Sequence, residues 1–332
     1  VFAGTQDRLE ARAVPEAGYA LHPITAQGLQ RGAVASNLLL PIRVAQGLMQ
    51  SWRLVGAIEP DVAVGTGGYV AAPVLLAAWL RGRPLLIQEQ NAYAGLTNRV
   101  RARLALRVHP AFPEAKDWVP SEHAVVSGNP TRQSLRDADP AAARGDCNMR
   151  EDERVLLGRG GALAIAAIDA GVKRILDSRW GGGDVSVLWQ TVPRYYDDLT
   201  ADLDEHPRLR VVEYIDQMGH AYAAADLAVC RAGALTCSEL TVTGTPAVLV
   251  PSPNVTADHQ TKNARSLERA GAAVWLDEAD LDAHLETVLL DLLGNSDRRA
   301  RMAEAARDRA RHDAAETIAR DVLALADRYR TN

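Results

Sequence analysis

Short apolar runs alternate with amphipathic stretches along this chain, one pair about every 20–25 residues, the repeat of a strand plus a covering helix. In the first half the runs are Val1–Ala3, Asp61–Val64, Pro84–Gln88, Leu106–His109 and Ala124–Ser127. In the second half they are Arg154–Leu157, Val185–Trp189, Leu209–Tyr214, Leu227–Cys230, Ala247–Val250 and Ala273–Leu276. Each is too short for a stable helix, and each reads as a strand. Helical periodicity fills the gaps at Leu38–Val55, Ala71–Arg81, Leu163–Ile175, Leu235–Thr243 and His259–Ala270. After Leu281 the pattern is almost wholly helical, and Met302 to Tyr329 reads as a solvated helix pair packing on one face. Strand and helix in alternation predict α/β architecture with parallel sheets, whose ligands bind beyond the strand C-termini.

The rhythm breaks after Gly128-Asn129-Pro130, where a stretch rich in Asp, Ala, Arg and Pro runs to Arg150 without an apolar period. That stretch reads as a linker plus a surface helix, and 332 residues suit two domains. A composition of 47% hydrophobic and 24% charged residues excludes a disordered or collagen-like chain. The 3 cysteines form no CxxC and no His/Cys cluster, which argues against a zinc module and fits a reducing compartment. The net charge of −5 divides into +4 over residues 1–132 and −9 over the rest. A nucleic-acid binder would carry a dominant basic stripe, so nucleic acid is not an expected partner. No apolar run reaches the roughly 18 residues of a membrane span. Nothing in the opening Val1-Phe2-Ala3-Gly4 has the charged-then-apolar pattern of a secretion signal.

Four polar or glycine-rich segments stand at strand ends. Gly65-Thr66-Gly67-Gly68-Tyr69-Val70 follows the second strand, where glycines let the backbone approach a ligand or simply make a tight turn. Gln88-Glu89-Gln90-Asn91 ends the third, and its amides both donate and accept, as a hydroxyl-rich ligand requires; helix capping by Asn91 is the plainer alternative. Arg231 to Glu239 follows Leu227–Cys230. There Gly233 opens a helix whose dipole favours an anion, Thr236 and Ser238 add hydroxyls, and Glu239 is placed to accept from a ribose diol or to complement the helix N-terminus. Asp258-His259-Gln260-Thr261 begins a further helix with amide and imidazole groups.

In order, the segments GTGGYVAAP, QEQNAYAGLTNR, AFPEA, SGNPTR, EYIDQM, CRAGALTCSE and PAVLVPSPNVTADHQTKNA resemble the MurG family of glycosyltransferases, family 28, over nearly the whole chain. The resemblance implies a GT-B fold, two Rossmann-like doubly wound domains facing across a cleft. It sets residues 1–132 as an acceptor and membrane-facing domain, 133–312 as a UDP-GlcNAc-binding domain, and 313–332 as a helix returning to the first. The activity it implies is transfer of GlcNAc from UDP-GlcNAc to the C4 hydroxyl of MurNAc in lipid I, by inverting displacement, without a cofactor or a metal. Implied partners are UDP-GlcNAc, lipid I, an anionic membrane surface and cell-wall synthesis proteins. The implied location is the cytoplasmic face of the bacterial inner membrane.

Carried over by motif, Glu239 would hold the ribose, and Ala234, Leu235 and Thr236 the diphosphate, with Cys237 and Ser238 beside them. Ile215 would meet uracil through its backbone, and Gln260 would read the sugar hydroxyls. Asn91 and Arg132 would reach the donor sugar from the first domain, and Gly67, Gly68 and Tyr69 would face the acceptor. Glu89 is the available carboxylate for a general base. The segment from Leu38 to Arg53 mixes apolar bulk with arginine and suits either an interfacial helix on anionic lipid or an ordinary sheet-covering helix.

The chain departs from the family pattern in three places. The family's first strand, GGTGGH-type loop and helix would precede Val1, so an upstream extension is expected. The loop opening the second half reads Gly158-Arg159-Gly160-Gly161-Ala162, with Arg159 where a serine would meet the diphosphate; Arg159 is a candidate to pair with phosphate in its place. Gln88 replaces a histidine and Val192 a glycine. The alternatives are another GT-B transferase with a different sugar nucleotide, or an inactive remnant that binds UDP-sugar or membrane. A dehydrogenase does not fit, because no intact GxGxxG follows a strand with an acidic residue about 20 positions on.

Overall fold

A computed structural model describes residues 1–26, 40–95, 98–99, 102–147, 149–150, 152–160, 185–191, 193, 196–197 and 208–331. The expected helix Leu163–Ile175, the leading Leu38 and Leu39, and Leu96, Thr97, Gly161, Ala162 and Val192 lie outside them. The chain divides into two compact units, Val1–Gly128 with Ala315–Asn332, and Asn129–Ala314.

In the first unit, β1 (Phe2–Gly4) runs through α1 (Leu9–Glu16) to a parallel partner, β2 (Leu21–Pro23). Helix α2 (Leu40–Ile58) leads into a second parallel sheet of β3 (Ala63–Gly65), β4 (Leu85–Glu89) and β5 (Arg107–Pro110), with α3 (Ala71–Leu80) crossing from β3 to β4. Strand β4 is central and buried along its whole length, as its unbroken apolar start Leu85-Leu86-Ile87 requires. Val55, Leu75, Leu85, Ile87 and Val108 form the core beneath α2 and α3.

Three differences from the sequence expectation have local causes. Helix α1 and strand β2 were not expected, because LEARAVPE buries no residue and contains Pro15, and LHP is too short to show a period. Ala124–Ser127 forms only a single parallel bridge to Val108, although the Val125 and Ser127 amides still donate to the Val108 and Pro110 carbonyls. Pro110 has no N–H to return, so the ladder cannot continue.

In the second unit, α4 (Pro140–Asp146) is capped by Asp139, whose carboxylate accepts from the Ala141 amide. Six parallel strands follow: β6 (Arg154–Arg159), β7 (Val185–Gln190), β8 (Leu209–Val212), β9 (Leu227–Cys230), β10 (Ala247–Leu249) and β11 (Ala273–Trp275). Their order is β11-β10-β9-β6-β7-β8. The direction of winding therefore reverses between β6 and β9, which is the switch point of a doubly wound sheet. Helices α5 (Met218–Ala224), α6 (Ala234–Thr243) and α7 (His259–Arg269) connect the later strands, and α8 (Leu281–Gly294) and α9 (Ser296–Asp308) complete the unit. Leu156, Val187, Leu227, Val229 and Val248 pack against Leu285, Leu289 and Leu292 of α8.

Gly158 and Arg159 belong to β6 rather than to a loop. Gly158 sits opposite Trp189 of β7, and a Cβ there would fall 1.7 Å from the indole ring. This glycine makes room for a side chain, not for a ligand. The last helix, α10 (Ala314–Thr331), packs in the first unit: Arg330 meets Asp61 at 2.5 Å, and Asp321 lies 3.5 Å from Arg107 and 3.3 Å from His109.

Candidate functional site

In the second unit the site grows from the switch point. Arg159 ends β6 in register with Cys230, the end of β9. The chain then turns through Arg231 and Ala232 to Gly233, which N-caps α6 in extended conformation with no side-chain hydrogen bond. The first-turn N–H groups of a helix have no intrahelical acceptor, so those of Ala234, Leu235 and Thr236 form a donor cluster at the positive end of α6. Asn129 braces this turn, its Nδ2 donating to the Ala234 carbonyl at 3.3 Å and to Ser238 Oγ at 2.9 Å.

Cys237 does not take the role expected of it. Its side chain is fully buried, burial pushes its thiol well above the usual range, and its amide donates to the Gly233 carbonyl at 2.9 Å. Neither its sulfur nor its N–H is open to a ligand. Ser238 likewise spends its hydroxyl on the Ala234 carbonyl while accepting from Asn129. Its task is to brace the turn.

Beside this turn is a cavity of about 310 Å³ whose lining includes Arg132, Arg159, Gln190, Tyr214, Ile215 and Glu239. Arg132 thus belongs to the second unit, which starts at Asn129, and not to the first as expected. Arg159 Nη1 donates to Glu239 Oε2 at 3.0 Å and to Tyr222 Oη at 2.9 Å. Tyr222 Oη in turn donates to Glu239 Oε2 at 3.0 Å. Burial alone would lower the Arg159 pKa, but Tyr222 and Glu239 outweigh it and hold the guanidinium above its ordinary value. Arg159 thus pairs with Glu239 through Nη1, one of its three donor nitrogens.

Gln260 is the second residue of α7, and its Oε1 accepts from the Ser252 amide at 2.8 Å, leaving Nε2 without a partner among the described residues. The turn before it holds Ala257 and Asp258 at φ of 57° and 52°, a left-handed kink that L-residues rarely adopt. Arg231 donates to the Val250 and Pro251 carbonyls and pairs with Glu278, so it ties the end of β10 in place.

In the first unit the ends of β3 and β4 lie side by side. Gly67 and Gly68 take φ of 103° and 74°, which only glycine adopts readily, and Tyr69 sits under the Arg8 guanidinium. Gln90 Nε2 donates to the Thr66 carbonyl at 3.2 Å, linking the two loops. Glu89 is 3% exposed, and its carboxylate accepts from the Asn91 amide at 3.0 Å, Asn91 Nδ2 at 3.4 Å, the Gly95 amide at 3.3 Å and Asn98 Nδ2 at 2.7 Å. A general base needs a free lone pair within reach of the acceptor hydroxyl. Buried and fully engaged, Glu89 instead anchors the loop that carries Asn91.

Sequence reasoning missed Tyr222, Asn129 and Gln190. Asn129 stood in the quoted SGNPTR segment, so its signal was present. Tyr222 lies in an apolar helical run and carried none.

A six-stranded parallel sheet with an open helix N-terminus at its switch point, following a first α/β unit, is the architecture of the GT-B fold. The glycosyltransferase family 28 N-terminal domain matches residues 1–110 and its C-terminal domain residues 155–318. The chain is 89% identical over 332 residues, all of its length and 90% of the relative's, to the UDP-N-acetylglucosamine--N-acetylmuramyl-(pentapeptide) pyrophosphoryl-undecaprenol N-acetylglucosamine transferase of Salinibacter ruber. It is 41% identical to the Chlorobaculum parvum protein of the same name, over 98% of this chain and 90% of that one. Among solved structures, Acinetobacter baumannii MurG matches with a TM-score of 0.74 and 28% identity, over 99% of this chain and 90% of that one. The calicheamicin glycosyltransferase CalG4, at a TM-score of 0.68 and 16% identity, covers 98% of this chain and 90% of its own and shares the fold alone. The chain belongs to glycosyltransferase family 28, among the MurG enzymes.

Proposed function

We propose that this chain transfers GlcNAc from UDP-GlcNAc to the C4 hydroxyl of MurNAc in undecaprenyl-diphosphate-MurNAc-pentapeptide, converting lipid I to lipid II in peptidoglycan synthesis. The observation that carries this reading is 89% identity, over the whole chain, to an enzyme named for that reaction. The second unit supplies the donor site. The diphosphate lies on the N–H groups of Ala234, Leu235 and Thr236, the ribose at Glu239, uracil at Ile215, and the sugar hydroxyls at Gln260 Nε2. Departure of UDP builds negative charge on the diphosphate. The α6 dipole and its unpaired N–H groups are fixed before the reaction and stabilise that charge without reorganising. In the first unit, Gly67, Gly68 and Tyr69 face the acceptor diphosphate, and Glu89 holds Asn91 in place.

The lipid acceptor places the enzyme as a peripheral protein on the cytoplasmic face of the membrane, in the company of other cell-wall synthesis proteins. Helix α2 supports this reading. It buries the small stripe Gly47, Ser51 and Val55, while Ile42, Val44, Met49 and Trp52 are exposed. Its neighbour α3 exposes Leu76, Trp79 and Leu80, and Arg81 and Arg83 follow directly. A sheet-covering helix would bury its large residues, whereas an interfacial one turns them outward beside arginines.

The purified chain, given labelled UDP-GlcNAc and lipid I in detergent micelles, is expected to form labelled lipid II, with UDP-glucose a poor substitute. Tight UDP-GlcNAc binding with no transfer would overturn the enzymatic reading in favour of a binding remnant. Preference for another UDP-sugar would favour a different GT-B transferase.

A further inference from the structure

We propose that Arg159 is a positioning residue, one that fixes the Glu239 carboxylate so that its other oxygen meets the vicinal diol of a bound ribose. The proposal deepens the reading of the second-unit cavity as the UDP-GlcNAc site and rests on it.

Three elements converge on one carboxylate oxygen. Arg159 comes from the end of β6, Tyr222 from α5 and Glu239 from α6. Arg159 Nη1, Tyr222 Oη and Glu239 Oε2 close a triangle with sides of 2.9, 3.0 and 3.0 Å. Tyr222 is 2% exposed, so packing holds that corner. Each carboxylate oxygen offers two lone pairs. Those of Oε2 are taken by Arg159 and Tyr222, while Oε1 has no partner among the described residues. The Glu239 side chain keeps 22% of its exposure, so this oxygen remains within reach of a ligand.

Two adjacent hydroxyls supply two donors to the two lone pairs of Oε1. A glutamate left to itself would sample many rotamers, and a ligand would have to order it on binding. Holding Oε2 beforehand removes that cost from the binding step. The guanidinium suits the task because its charge-assisted hydrogen bond is stronger than a neutral one and its plane fixes direction. The alternative is that Arg159 acts directly on the donor phosphates. Its Nη1 is already committed twice within the triangle, and burial of Tyr222 leaves that partner no other place.

The two roles separate by ligand. Calorimetric titration of the full chain with UDP and with 2′-deoxy-UDP reads the ribose contact directly. Arg159→Ala is expected to weaken UDP by about ten- to a hundredfold, the range for a hydrogen bond to a charged group, and 2′-deoxy-UDP by much less. Arg159→Lys, which keeps the charge but not the fork, is expected to recover only part of the loss. Tyr222→Phe removes a single oxygen and is expected to show a smaller loss with the same dependence on the 2′-hydroxyl. Equal weakening of both nucleotides by Arg159→Ala would overturn the proposal and favour phosphate pairing. Should Arg159→Ala fail to fold, Tyr222→Phe decides alone, and an equal fall for both nucleotides, or none, overturns the proposal. A wild-type chain that binds neither nucleotide would instead remove the donor-site reading itself.

Discussion

At Gly158 the chain has no space for even a methyl group. An added Cβ would meet the Trp189 ring at 1.7 and 1.8 Å, and that indole is itself buried in the sheet. Overpacking a filled core costs typically about 1–3 kcal/mol. Gly158→Ala is therefore expected to lower the urea midpoint without changing the slope, and Trp189→Leu in the same chain to recover part of the loss. An unshifted midpoint for Gly158→Ala would contradict the contact. Residues of this kind mark the limit of sequence reading. A run of glycines looks like a ligand loop whether its first member faces a phosphate or a tryptophan, because the partner strand lies 31 residues away. Cys237 misled in the same way. Its neighbours Ala234 to Thr236 are donors at a helix start, while one more step around the turn carries the cysteine into the core. Glu239 and Gln260 stand in polar segments that follow strand ends, a pattern the sequence shows by itself.

Most elements were legible, because β6 to β11 are short apolar runs, with a helix between each successive pair from β8 to β11, and only the strand ends moved by a residue or two. Elements with no apolar period, α1 and β2, were not. The return of the last helix to the first unit was expected from the family resemblance alone, since its docking depends on charges far apart in sequence. There His109 of β5 is fully buried, 3.3 Å from Asp321 of α10, with Arg107 on the same strand. Burial depresses the His109 pKa; Asp321 works against that effect and Arg107 adds to it, leaving the value below the ordinary 6.5. A depressed pKa means that the unfolded chain takes up the proton first. The contribution to stability is present above about pH 6.5 and is lost as pH falls toward the folded-state value. The melting temperature is expected to fall from pH 7.5 to 5, and His109→Gln to flatten part of that slope. An identical slope in the variant would show that His109 carries none of it.

Across the molecule, the early division of charge now has a structural counterpart. The net-basic first part carries the exposed apolar residues of α2 and α3 beside Arg81 and Arg83, whereas the acidic second part carries helix α6 with its open N-terminus. Two kinds of force would act on the first surface. Apolar side chains entering the headgroup region contribute in proportion to the area they bury, and arginines gain about 1 kcal/mol each near an anionic leaflet. The electrostatic share is screened within about 8 Å at physiological salt, and the apolar share is not. Binding to vesicles containing phosphatidylglycerol is therefore expected to weaken, but not vanish, as salt rises, and to be slight on purely zwitterionic vesicles. Trp79→Glu with Leu80→Glu places charge where the apolar contact should form, and is expected to abolish sedimentation with vesicles at any salt. These two residues lie in the first unit, and with the proposed donor site in the second unit, the affinity for UDP is expected to stay unchanged in the same variant. Loss of both properties together would mean that the substitutions had unfolded the chain. Retention of vesicle binding would mean that the membrane meets some surface other than α2 and α3.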